Sequence, residues 1–183
     1  MPVIVAPVRE KIKNHLTGTD FSLESFDDLQ EVSAEDIKAI VEICNQPEVY
    51  DWLFKERLEG SLYSENDARQ FKVFANEGWA KAEKFVFLIR DNSGKVSGAL
   101  DIKANTNGAE IGYWADKTKR GFMTNAVAKL CEVASRAGFR NLTAVADPKN
   151  FRSIYLLERA GFKNSGASLL RNGEPGLQFI KQL

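Results

Sequence analysis

Residues 110–126 read EIGYWADKTKRGFMTNA. The first six alternate as a strand does, and after Gly121 the apolar spacing changes to three and four. Ala126, Val127, Leu130, Ala134 and Ala137 then share one helical face, and Gly138 supplies a stop. The junction carries two cations, Lys119 and Arg120, beside one glycine, Gly121, with Lys117 close by. A helix that starts there leaves its first amide donors without intrahelical acceptors. Those donors and the positive end of the helix dipole favour an anion. Gly121 permits a backbone conformation or a close approach that a side chain would obstruct. The stretch therefore predicts a diphosphate-containing ligand on the helix start or, more plainly, a helix cap with a solvated basic turn. It matches neither the G-x-G-x-x-G fingerprint nor a P-loop.

Working outward, the segment before it reads as a hairpin. Two β-rich runs, 85–90 and 96–102, flank the turn Asp91-Asn92-Ser93-Gly94, and NTNG (105–108) precedes the strand at 109–115. Further upstream, Ser33 and Asp36 predict a capped helix with Ile37, Ile40, Val41 and Cys44 on one stripe, and Pro47 ends it or begins a second piece. Ser64 and Asp67 open another, with Phe71, Phe74 and Ala75 on one side. FSLESF (21–26) suits a strand, and residues 1–20 read as an irregular arm or short strand. Downstream, 141–147 is a strand, NFRSIYLLERAG (150–161) is a helix stopped by Gly161, and strands surround RNGEPG (171–176). The order predicts an N-terminal arm (1–20) and a single domain (21–183), a mixed α/β sheet covered by helices.

The bulk numbers exclude some classes. With 183 residues, 44% of them hydrophobic, and 25 cations against 25 anions, the chain is an ordinary globular one. Zero net charge gives no general pull toward nucleic acid or an anionic membrane. With no leader-like start and no long apolar run, the reading is cytoplasmic. Cys44, Cys131 and the single His15 lie in no metal-ligand spacing, which predicts buried thiols and no metal.

Four features recur in order: IGYW (111–114), Gly121 with MTNA (123–126), DPKN-x-x-S (147–153) and ERAGF (158–162). With these the chain resembles the GNAT superfamily of N-acetyltransferases, and more narrowly the branch that acetylates the N-termini of ribosomal proteins. The resemblance implies a GNAT-like fold whose central sheet splays between its fourth and fifth strands, here 109–115 and 141–147. It implies acetyl-CoA as acyl donor, with backbone amides around Lys119, Arg120, Gly121, Phe122, Met123 and Thr124 holding the pyrophosphate. The family signature, Gln/Arg-x-x-Gly-x-Gly/Ala, falls on 118–123. Gly121 is kept, Thr118 replaces the long donor, Lys119 stands where glycine is common, and Met123 replaces the small residue.

The same resemblance puts the pantetheine arm in the gap between the two strands. A free amide near Tyr113 or Trp114 would polarise the thioester carbonyl, and Asn150 would contact the arm. Ser153 would give a proton to the departing thiolate, since the tyrosine that many members carry four residues before the terminal glycine is Leu157 here, and Tyr155 is two places off. Glu110 would take the amine's proton, directly or through water. On their own terms, Asn150 is also a helix cap, Ser153 a helix hydroxyl and Glu110 a salt-bridge partner. Strand parity puts Glu110 and Tyr113 on opposite faces. The implied activity is acetyl transfer to a primary amine, a protein or peptide N-terminus or a small amine; the rival is a non-catalytic acyl-CoA-binding regulatory module. The aromatic group Trp52, Phe54, Tyr63, Phe71, Phe74 and Trp79 predicts either an acceptor pocket or core.

Overall fold

A computed structural model describes residues 2–183. They run β1 (Arg9–Lys13), β2 (Asp20–Ser25), α1 (Ala34–Cys44), α2 (Pro47–Leu53), α3 (Glu65–Ala80), β3 (Phe85–Asp91) and β4 (Val96–Ile102). Then come β5 (Ile111–Ala115), α4 (Met123–Ala137), β6 (Asn141–Ala146), α5 (Phe151–Arg159), β7 (Lys163–Leu169) and β8 (Pro175–Gln182). Strands β1 to β5 form an antiparallel sheet in sequence order, and a second sheet has the order β6-β8-β7.

The two sheets touch through one parallel bridge, Glu110 with Thr143. Thr143 N–H donates to the Ala109 carbonyl (2.9 Å), and its hydroxyl to the Gly108 carbonyl (2.9 Å). Beyond that pair β5 and β6 part. The splay expected between the strands at 109–115 and 141–147 is therefore present; they count as fifth and sixth because β1 adds a strand.

Strand β3 explains why its sequence is nearly continuous in apolar residues. Phe85, Phe87 and Ile89 enter the core under α4 and α5, while Val86 and Leu88 enter the one under α1 and α3. A strand buried on both faces loses the usual polar alternation. Each fully buried Phe or Leu here is worth about 1.5–3 kcal/mol relative to exposure. Val3 and Val5 are also buried in the first core.

The helix signals act as expected, with one correction. Ser33 and Asp36 form a complete capping box, as do Ser64 and Asp67, and Pro47 starts α2. Ala75 is buried and Phe71 packs on the second core, but Phe74 is 42% exposed. The α3 stripe is narrower than the sequence suggested, its buried residues being the small Ala68, Ala75 and Gly78. Among the described residues, no helix is long and apolar enough to cross a membrane.

Candidate active site

Helix α4 starts without a side-chain cap and without an acidic residue in its first turn. Its first intrahelical bond runs from Ala126 N–H to the Phe122 carbonyl (2.9 Å). Among the described residues, none accepts from the N–H groups of Arg120 through Asn125. Six consecutive amides without acceptors at the positive end of a 15-residue helix favour an anion there.

Two distant side chains hold the loop that presents them. Gly121 has φ +92°, and a Cβ there would stand 2.4 Å from Asn14 Oδ1 and 2.7 Å from Leu16 Cγ. Asn14, only 3% exposed, donates from Nδ2 to the Arg120 carbonyl (2.7 Å) and accepts from the Leu16 (2.9 Å) and Thr17 (3.2 Å) amides. His15 N–H donates to the Gly121 carbonyl (2.9 Å). The carbonyls of the loop thus face the β1–β2 turn. On the other side, Gln46 donates to Asp116 Oδ1 (2.8 Å) and accepts from Lys117 N–H (2.8 Å). Thr118, which replaces the family's long donor, closes an Asx turn on Asp116 through its amide (2.9 Å) and hydroxyl (2.7 Å). Burial alone would raise the Asp116 pKa, but Gln46 and Thr118 hold it below the usual range.

The side chains on either side of Gly121 divide sharply. Lys119 does not join those amides: its ammonium pairs with Asp91 Oδ2 (2.5 Å) and Ser97 Oγ (2.9 Å) in the β3–β4 hairpin, and its amide donates to Asp116. Arg120 is exposed and makes no ion pair among the described residues. Phe122 is fully buried and stacks on Phe21 (4.6 Å), and Met123 is buried in the same core. They offer amides only, whereas the half-buried Thr124 also carries a hydroxyl.

The register of β5 decides between the two amides expected in the split. Lys103 N–H bonds to the Glu110 carbonyl and Asp116 N–H to the Ser97 carbonyl, and all β4–β5 pairs keep one register. In an antiparallel ladder, bonded residues alternate. Gly112 and Trp114 therefore direct their amides to β4, and Tyr113 directs its amide across the split. Trp114 is corrected on this point; its ring packs near Phe71 (6.1 Å) in the second core.

Tyr113 also contributes its side chain, which sequence reasoning missed. Its hydroxyl lies 2.6 Å from Ser153 Oγ. Burial pushes the phenol up to about 12, an effect the Ser153 hydrogen bond reduces, so it stays protonated at neutral pH. Asn150 caps α5, its Oδ1 accepting from Ser153 N–H (3.2 Å), which puts Asn150 and Ser153 together at the same helix start. Leu157 is fully buried in the core, and Tyr155 is 58% exposed, so neither supplies a hydroxyl here. Glu110 lies on the opposite face, as parity predicts, with its carboxylate on the Lys103 ammonium. It is not brought together with Ser153.

The aromatic group at α1–α3 is mostly core. Tyr63 packs on Phe54 (4.7 Å), Phe71 on Phe26 (5.6 Å), and Trp79 on Phe85 and Phe87 with its indole bonded to the Val86 carbonyl. Trp52 and Phe74 alone are exposed. Cys44 and Cys131 are buried thiols; burial raises both, Cys131 to about 11 despite Lys181, which disqualifies them as nucleophiles at neutral pH. Among the described residues no cluster is suited to a metal ion.

Comparison with known proteins agrees with this geometry. The microcin C7 self-immunity acetyltransferase MccE, solved with acetyl-CoA and AMP, superposes with a TM-score of 0.71 at 16% identity, covering 89% of this chain and 92% of that one. RimL, the ribosomal L7/L12 alpha-N-protein acetyltransferase in complex with coenzyme A, gives 0.72 at 16%, covering 95% and 98%. Mycobacterium smegmatis RimJ gives 0.70 at 17%, covering 99% and 88%. No curated protein matches the sequence. The family described as Acetyltransferase (GNAT) domain matches residues 28–163, well over half of the chain. An open helix start beside a split sheet fits coenzyme A, and with that match the chain belongs to the GNAT acetyltransferases, with acetyl-CoA as its acyl donor.

Proposed function

We infer that the protein acetylates a primary amine: a protein or peptide N-terminus, or a small amine. The observation that carries this is the row of unpaired amides from Arg120 to Asn125, beside the point where β5 and β6 part. The bound donor supplies an activated acetyl thioester. The chain's own part is to hold the pyrophosphate on the α4 amides, with the exposed Arg120 adding charge. Asn150 contacts the arm, and the Tyr113 amide stabilises charge developing on the thioester oxygen. Ser153 donates to the sulfur as it departs. Because the Tyr113 phenol keeps its proton, it can donate to Ser153 Oγ and leave the serine's single proton free for that task. The face that carries Glu110 receives the amine's proton.

The similarity to ribosomal-protein acetyltransferases makes peptide N-termini the first acceptors to try. Pure protein mixed with acetyl-CoA and a panel of peptides and small amines should release free thiol above background. No release from any acceptor across a broad pH range would sink the enzymatic reading. The second reading, a non-catalytic acyl-CoA-binding module, draws on Leu157, buried where many members present a tyrosine. Tight coenzyme A binding without turnover would favour it.

A further inference from the structure

The two carboxylates at the mouth of the split are not equivalent. Glu110 belongs to the bridge with Thr143, and its carboxylate holds Lys103. Asp101 pairs with Gly112, two residues further into the opening. Residues paired across strands share a face, so Asp101, Gly112 and Glu110 look to the same side. A Cβ on Gly112 would come within 2.4 Å of Asp101 Oδ1. The carboxylate therefore leans over β5, across the space the glycine leaves, toward the split. Lys103 Cε passes 3.0 Å from the same point, but its ammonium continues to Glu110.

Among the described residues, no side chain hydrogen-bonds or ion-pairs with Asp101. The residue as a whole keeps intermediate exposure, while its carboxylate is largely desolvated. Burial raises its proton affinity above the usual range. The Lys103 charge, the Gly112 amide and Arg171 from the β7–β8 turn draw it back, and Glu110 adds to it.

We propose that Asp101 is the catalytic base that takes the proton from the acceptor ammonium, while Glu110 holds Lys103 in place. This rests on the acetyl-transfer reading above. The ammonium gives one proton to the Asp101 carboxylate, and the freed lone pair forms the C–N bond. The C–S bond breaks with its electron pair on sulfur, Ser153 gives that sulfur a proton to form the thiol, the second nitrogen proton restores the Ser153 hydroxyl, and Asp101 returns its proton to water. A carboxylate of raised proton affinity is well matched to taking a proton from an amine.

The test uses the full chain, acetyl-CoA, a short peptide with a free N-terminus and a small primary amine, with thiol release followed against pH. Asp101→Asn should lose about 100-fold in kcat near neutral pH and recover as pH rises and free amine accumulates. Glu110→Gln should lower the rate without moving that pH limb. Asp101→Glu should keep the limb at a reduced rate. Calorimetric affinity for coenzyme A should be unchanged in Asp101→Asn, and its melting temperature equal to or above the parent's, because a carboxylate whose desolvation outweighs its partners has been removed. A parental pH profile in Asp101→Asn, or a melting temperature well below the parent's, overturns the assignment alone. Should the parent protein bind coenzyme A yet acetylate no amine, the wider reading fails and Asp101 falls with it.

Discussion

Helices α1 and α4 begin in opposite ways. Helix α1 is closed: the Ser33 hydroxyl accepts from Asp36 N–H, the Asp36 carboxylate accepts from Ser33 N–H, and Arg90 grips that carboxylate in two bonds (2.5 and 3.1 Å). Helix α4 is open: Phe122 stands at the cap with its ring in the core, and none of the described residues accepts from the first-turn amides. A closed start contributes stability and keeps a carboxylate at its remaining first-turn donors, which turns an anion away. An open start forgoes roughly 1 kcal/mol of capping and keeps its donors for an anion. The same chain uses both, and the difference separates the scaffold from the site.

The largest test of that contrast is at the open end. Gly121→Ala puts a Cβ against Asn14 and Leu16 at positive φ, adding strain of about 1–3 kcal/mol. Coenzyme A affinity should fall on the order of 100-fold by calorimetry; unchanged binding in a folded variant would remove the loop from the cofactor site. Thr124→Glu puts a charge in the first turn that the helix dipole favours by about 0.3–1 kcal/mol, yet it repels a diphosphate. The variant should melt no lower while binding roughly 10-fold more weakly. Tighter binding would show that the amides face elsewhere.

Asn14→Ala sharpens the comparison from behind the loop. It removes the Nδ2 bond to Arg120 and leaves buried polar groups unpaired, costing about 1–3 kcal/mol in denaturant titration. It should also raise KM for acetyl-CoA several-fold; a stability loss with KM untouched would make Asn14 purely structural.

The closed end should answer to pH and to cap deletion, with no effect on the cofactor. Burial disfavours the Asp36 carboxylate, but Arg90 and Ser33 together hold its pKa below the usual range. A folded pKa below the unfolded one stabilises at pH values above about 4, and that contribution is lost as pH falls through the folded value. Asp36→Asn should therefore show a flatter stability profile in acid than the parent; parallel profiles would refute the linkage. Ser64→Ala should cost about 1 kcal/mol at α3 and leave coenzyme A affinity at the parental value.

Local signals were legible in the sequence, and long-range ones were not. Capping boxes, the 91–94 turn and the change of period after Gly121 depend on neighbours within a few residues, so they could be read directly. The ordered motifs from Ile111 to Phe162 made the fold and its split legible through resemblance, and Gly121 already marked the helix start. Asn14 and Gln46 stayed hidden because their partners lie 106 and 70 residues away. Lys119 looked like a phosphate ligand because charge is visible in a sequence and direction is not; Asp91 and Ser97 claim it. Trp114 lost its candidate amide to a register that only the position of β4 determines. Asp101 was passed over as one polar residue in a hairpin, although Gly112 facing it was a usable cue.

Strand β1 is the outer edge of the five-stranded sheet, and the turn that follows it carries Asn14, His15 and Leu16 against Gly121. One proteolytic cut within that turn would thus do two kinds of damage at once. It would bare the backbone of β2 for sticking to other chains, and it would unseat the open helix start a hundred residues downstream. Clipped protein should aggregate and lose its hold on acetyl-CoA together, and saturating coenzyme A should shield the turn from protease.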